Sequence, residues 1–296
     1  YIANFQATCS QGSGLDEDTM YAVGSLGAQL GPAFINIAGP YSELWPLLLH
    51  GMGAPAATRY DLAGWDFPLS CEASLTTFCQ IVEALGQEFA HCWYVENSRA
   101  VLQRVLSVWY LSSRLRSLAV IALGRLVLAV AGVLESIPQV FYTMRKLVAS
   151  LPTFTVVRTK FSPSGLQNIS VASVNQGKRT NSSSVEPLSH QVWNHGLHIA
   201  ILQAYTDICN GVRRLESLAV LTHDVPSILD FAIRCLENPT ESGTQSAALK
   251  LIALLVDLFP EYRDTVFRFQ EQLDQFPDVD PVASLESKLQ KCMIAG

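Results

Sequence analysis

Apolar residues recur at helical spacing along almost the whole chain. Leu75, Phe78, Cys79, Val82 and Leu85 form one stripe, and Val101, Leu102, Val105, Leu106 and Trp109 another. Leu197, Ile201, Tyr205 and Ile208 repeat the pattern, as do Ala248, Ile252, Leu255 and Phe259. A stripe of this period buries one face of a helix, whereas a half-buried strand needs alternation. Almost no segment alternates. The chain is therefore expected to be all-α.

The stripes are punctuated by residues that start and stop helices. Ser70 is placed to cap one helix, and Gly86 to supply the left-handed residue after it. Ser98 is read as the next N-cap. A very apolar helix is expected from about residue 116 to 137, and Pro138 can open another through 151. Nearer the N-terminus, 16–30 and 41–52 look helical, with a Gly/Pro-containing loop over 53–68. Ser189 is read as capping a helix that Gly211 ends. Asp224 and Pro226 start the next, with Leu229, Ala232, Ile233 and Leu236 inward. After Asn238-Pro239-Thr240 comes the stripe of Ala248 to Phe259. Pro260 opens a helix with Tyr262, Val266, Phe269, Leu273 and Phe276 at heptad-like steps. Asp280-Pro281 begins the last, with Val282, Leu285, Leu289 and Cys292. Short connections between such helices imply antiparallel neighbours.

The pattern stops once, between residues 151 and 188. Thr153-Phe154-Thr155-Val156-Val157 could pair as a short strand, but Ser, Asn, Gly, Lys and Pro then dominate. An insert of this length is expected to be disordered. It divides the chain into an N-terminal helical block (1–151), a flexible Ser/Asn-rich insert (152–188) and a C-terminal helical block (189–296). Ser162 precedes a proline in the insert and is the candidate modification site, since a phosphate there would add negative charge to a docking contact.

Hydrophobic residues make up 49% and charged residues 16%, which fits helices buried on more than one side. The formal net charge of −6 gives no general attraction to a phosphate backbone, so no nucleic-acid partner is expected. The seven cysteines include no C-x-x-C pair, and the odd count points to a reducing compartment, cytoplasmic or nuclear. The sequons Asn168-Ile169-Ser170 and Asn181-Ser182-Ser183 are read as chance matches. The first residue is Tyr1, not Met, and the chain reads as a piece of a longer protein.

No segment carries catalytic chemistry. There is no G-x-S-x-G, no P-loop, and no G-x-G-x-x-G between a strand and a helix. Gln11-Gly12-Ser13-Gly14 reads as a flexible loop, not a phosphate cradle. His190, His195 and His198, with Asp207 further down the same helix, are the densest set of metal-ligand types. They lack the H-E-x-x-H spacing and a nearby cysteine pair. No catalytic, cofactor or metal residue is assigned. Residues 117–134 are long enough to span a bilayer. Arg125 sits at their centre, where insertion would cost on the order of 2.5–3.5 kcal/mol. Gly124 and Gly132 would help only if a partner helix packed on them. A helix buried between neighbours is the preferred reading, with Arg125 snorkelling or paired.

One stretch resembles a known family. Asp224-Val225-Pro226-Ser227-Ile228-Leu229, then Cys235-Leu236-Glu237-Asn238, then Gln245-Ser246-Ala247-Ala248-Leu249-Lys250-Leu251 looks like an armadillo repeat. Pro226 fixes the first turn of one helix, residues 238–243 reverse the chain, and Ala247 and Ala248 let the next helix approach closely. The unit spans about 222–267, near the ~40–47 residues of armadillo or HEAT units. The resemblance implies an armadillo/HEAT-like α-solenoid. Peptide-binding armadillo grooves carry an Asn ladder on the third helix; the matching position here is Ala253. The heptapeptide Arg114-Leu115-Arg116-Ser117-Leu118-Ala119-Val120 also returns almost unchanged as Arg214-Leu215-Glu216-Ser217-Leu218-Ala219-Val220.

The expected function is a non-catalytic helical-repeat scaffold segment that binds protein partners within a larger protein. The alternatives are a membrane-associated helical protein using 117–134, or a regulatory helical region of a larger enzyme such as a kinase.

Overall fold

A computed structural model describes residues 17–39, 42–53, 71–108, 111–134, 137–151, 188–215, 218–236 and 242–266; of residues 37, 188–195 and 242 only the backbone is described. The described residues are helical, with no strand among them. The helices are α1 (Glu17–Leu30), α2 (Phe34–Ala38), α3 (Leu44–Gly51), α4 (Cys71–Leu85), α5 (Val95–Ser107), α6 (Ser113–Val130), α7 (Ile137–Ala149), α8 (Leu188–Arg213), α9 (Ala219–Thr222), α10 (Val225–Leu236) and α11 (Ser242–Leu258). Ser70, the loop 53–68 beyond Gly53, Trp109, residues 153–157, Ser162 and the expected helices beyond Val266 lie outside the described residues.

The helices stack in two rows. A long row runs α1, α4, α6, α8, α11, each packed on the next. The shorter helices α3, α5 and α10 pack against α4, α6 and α11, and α7 rests on α5. The contacts along the long row show that its members run parallel. Glu72 meets Arg114 and Glu83 meets Arg125 across α4 and α6, each pair 42 positions apart. Ile199 meets Gly243, and Arg213 meets Asp257, across α8 and α11, each 44 apart. Arg125 and Asp207 are 82 apart, and the 36 residues 152–187 fall between them. A step of 42–44 is that of an armadillo or HEAT unit.

The core is continuous from Met20 to Val266. Trp45, Phe78 and Phe89 fill its N-terminal part, with Phe89 edge-on to both Phe78 at 5.9 Å and Trp45 at 5.4 Å. Side chains of this size dominate burial energetics. In the C-terminal part Leu229, Ala248, Ile252, Leu255 and Phe259 are buried, while Ile233 and Leu236 are half-buried.

Several helix ends differ from expectation. Ser98 is not a cap: α5 starts at Val95, and the Ser98 hydroxyl donates back to the Tyr94 carbonyl at 2.8 Å. The cap three residues into a stripe was mimicked by this i−4 bond. The apolar helix α6 starts at Ser113, because the Ser112 hydroxyl accepts from Leu115 N–H at 3.3 Å. It leaves α geometry at Ala131 for one 3₁₀ turn. Gly211 does not end α8, which continues to Arg213. Gly86 does take positive φ, at +52°.

Candidate interaction surface

The long row leaves one side of its helices to solvent, and charged side chains cross it from helix to helix. At the lower end Glu72 of α4 pairs with Arg114 of α6. In the middle Arg125 of α6 reaches both ways: Nη1 lies 3.8 Å from Glu83 of α4 and Nε 3.4 Å from Asp207 of α8. Further along, Arg213 of α8 lies 3.2 Å from Asp257 of α11. Between these rungs Gln203, Ser246 and Lys250 are exposed, and Ile121, Thr206, Asn210 and Ala253 are half-buried.

The rungs order the surface more than they stabilise it. Glu83 is 62% exposed, and a pair in that setting contributes about 1 kcal/mol or less. Asp207 is different, with a side chain only 14% exposed. Burial pushes its carboxyl above the usual value, more than Arg125 pulls it down. Removing Arg125 would leave that carboxylate buried without its cation.

Among the described residues one stretch, Ser113–Val133 (α6 with the 3₁₀ turn after it), is long and apolar enough to cross a membrane, and 56% of its apolar window is buried by neighbours. The partner that its glycine needs is present. A Cβ on Gly124 would lie 2.7 Å from Ala204 Cα of α8. Arg125 is paired, as one of the two sequence alternatives had it.

Among the described residues, four cysteine thiols are packed into the core. Burial pushes the Cys71 and Cys92 thiols up to about 11, and those of Cys79 and Cys209 to about 12. Such thiols hold almost no thiolate at neutral pH, so they pack as small hydrophobes. His198 lies half-buried on α8, stacked at 6.0 Å and 13° on Phe231 of α10. The side chains of His190 and His195 lie outside the described residues. Among the described residues no three His, Cys, Asp or Glu side chains are grouped to hold a metal.

Sequence reasoning missed the rungs. It read Arg125 as snorkelling or paired without naming a partner, and gave Asp224 only as a helix start. Asp224, assigned to capping, is 6% exposed. Its Oδ1 lies 3.3 Å from Arg145 Nε of α7. The usable signal was spacing: acid and base at steps of 42 and 44 on helices of similar pattern.

No family model matches the chain, and no curated protein matches it. Among solved structures it is similar to a chain of the complex in which Kap95p binding induces the switch loops of RanGDP to adopt the GTP-bound conformation. The identity is 17%, the TM-score 0.60, and the alignment covers 94% of this chain and 28% of that one. This chain thus spans under a third of the length of its structural neighbour. Parallel long helices, shorter helices on one side and a 42–44-residue step give this chain the fold of a HEAT/armadillo-like helical repeat.

Proposed function

We propose that this chain is a non-catalytic scaffold segment of a larger intracellular protein, cytoplasmic or nuclear, and binds a protein partner through the exposed side of α6, α8 and α11. The observation that carries the reading is the parallel long row itself. Its members are tied by Glu72–Arg114, Glu83–Arg125–Asp207 and Arg213–Asp257, so several helices offer one continuous face. Stacked repeats present extended surfaces of this kind. The structural neighbour comes from a complex of two proteins, Kap95p and RanGDP, which supports a protein partner as the class.

The position matching the armadillo Asn ladder is Ala253, half-buried on α11. A methyl group cannot clamp an extended peptide backbone, so the partner is held by side-chain complementarity. The test is substitution scanning of Gln203, Asn210, Ser246 and Lys250 to acidic residues, read as affinity for a partner captured by the intact protein. Losses of tenfold or more on this face support the reading. Losses confined to Tyr142 and Lys146 on α7, or to residues 152–188, overturn it. Stable partition of the intact protein into lipid vesicles would favour the membrane alternative that the length of α6 permits.

A further inference from the structure

The contact between α6 and α8 has the geometry of a fulcrum. The two backbones touch: a Cβ at Gly124 would lie 2.7 Å from Ala204 Cα, and one at Gly211 2.6 Å from the Val127 carbonyl oxygen. Salt links lie on either side of it. On one side Arg125 of α6 meets Asp207 of α8. On the other, Arg145 Nε of α7 lies 3.3 Å from Asp224 Oδ1, just before α10. Tyr205 marks that second side on α8, because its phenol feels the charges of Asp224 and Arg145, with Cys209 one turn further along. Tyr205 and Asp207, two residues apart, point about 160° apart around α8.

The Tyr205 side is packed differently from the fulcrum. α8 is closely packed on α6, and α7 on α5, but among the described residues α7 is not closely packed on α6, α8 or α10. Val140, Phe141 and Met144 of α7 are buried all the same, so side chains rather than backbones bridge that distance. The polar tie across it is Arg145 to Asp224, with side chains 40% and 8% exposed. Burial pushes the Asp224 carboxyl above its usual value, more than Arg145 and His223 pull it down. The other groups facing it do little to help: His223 is exposed, and burial keeps the Tyr205 phenol protonated. Asp224 Oδ1 accepts no hydrogen bond among the described residues. A carboxylate placed like this depends on its one guanidinium, and breaking such a pair by removing the cation is strongly unfavourable.

We infer that Arg145 and Asp224 form a latch between α7 and α10. With it closed, the Tyr205 and Cys209 side of α8 is sealed. With it broken, α8, α10 and α11, which are packed on one another, tilt away from α7 about the α6/α8 contact and uncover that side. Without the cation the buried carboxylate can regain its charge partner only from water, and opening admits water. The glycine contact lets the tilt occur without parting α6 from α8, and Arg125 holds Asp207 on the opposite side throughout. This device does not rest on the partner-binding reading above.

The test uses the native thiols of the full chain. Cys209 is fully buried, and Cys71 and Cys92 are buried in the N-terminal part of the core, so alkylation of each reports opening at its own place. Pulsed iodoacetamide labelling, resolved by mass spectrometry of the cysteine peptides, should be roughly tenfold or more faster at Cys209 in Arg145→Met, with Cys71 and Cys92 unchanged. Arg145→Lys, which keeps the charge but loses the planar fork, should fall between it and the native protein. Adding Asp224→Asn to Arg145→Met should return Cys209 to within about twofold of the native rate, since no buried charge is then left unpaired. Lys146→Met, next to Arg145 but exposed, should change none of the three. Equal acceleration of all three thiols, an unchanged Cys209 in both Arg145 variants, or no recovery in the double variant would each overturn the inference.

Discussion

The contacts of α6 with α8 and of α10 with α11 achieve close helix packing by opposite means. At α6/α8 the backbones approach because side chains are missing. A Cβ at Gly124 would lie 2.7 Å from Ala204 Cα, and one at Gly211 2.6 Å from the Val127 carbonyl oxygen. At α10/α11 the space is filled: Ile228, Leu229, Ile252 and Leu255 are each no more than 3% exposed. The first junction is therefore intolerant of added atoms and the second of removed ones. Two helix junctions in one fold thus respond to mutation with opposite sensitivities.

Truncating the filled junction has the largest expected effect. Leu255→Ala should cost roughly 2–5 kcal/mol in urea or thermal unfolding, as for other buried leucines. A cost under 1 kcal/mol would mean that α10 and α11 do not share a core. At the bare junction Gly211→Ala should cost about 1–3 kcal/mol by overpacking, because the clash is with backbone and cannot be relieved by a rotamer. The same substitution at Gly196, also in α8, meets nothing within 4 Å. There it should stabilise by about 0.5–1 kcal/mol, the usual gain for a helix interior. Equal signs at 196 and 211 would break the comparison.

Two acids have carboxyls that burial pushes up: Asp207 of α8 at the bare junction, against Arg125, and Asp224 before α10, against Arg145 of α7. With a folded value above the ordinary 3.8, each binds its proton more tightly when folded. Its stabilising contribution is fully present below the unfolded value and is lost as pH rises through the folded one. Asp207→Asn and Asp224→Asn should each flatten the fall in stability across that window, measured by urea titration at a series of pH values. A steeper fall in either variant contradicts the assignment. The smallest effect is expected at Lys250, exposed on α11: Lys250→Ala should change stability by under about 0.5 kcal/mol.

The parts legible in the sequence were those governed by local chemistry. The stripes found α4, α5, α8, α10 and α11, Gly86 marked its turn, and Leu229, Ile252 and Leu255 were correctly placed in the core. What depended on distant partners was not legible. Gly211 looked like a helix stop because glycine commonly ends helices; its reason for being there, Val127, lies in another helix. The duplicated heptapeptide shows the same limit. Arg114 to Val120 lies inside α6, with Ala119 and Val120 fully buried. In the second copy Arg214 and Leu215 form a turn after α8, and Ala219 is exposed at the start of the four-residue α9. Arg114-Leu115 and Arg214-Leu215 thus serve as helix and as turn, because the flanks differ. The rungs across the long row belong to the same class, being visible only once the helices are stacked.

Parallel, in-register stacking of the long row underlies both the repeat assignment and the proposed face, and paired cysteines test it directly. The pairs Glu72→Cys with Arg114→Cys, and Glu83→Cys with Arg125→Cys, should each be linked by a bismaleimide spanning about 10 Å. The crossed pairs, Glu72→Cys with Arg125→Cys and Glu83→Cys with Arg114→Cys, should not be. Their positions are separated along the helix by 11 residues, about 16 Å at 1.5 Å per residue. Linking of the direct pairs alone is the predicted result, and linking of the crossed pairs in preference would show that α4 and α6 run antiparallel.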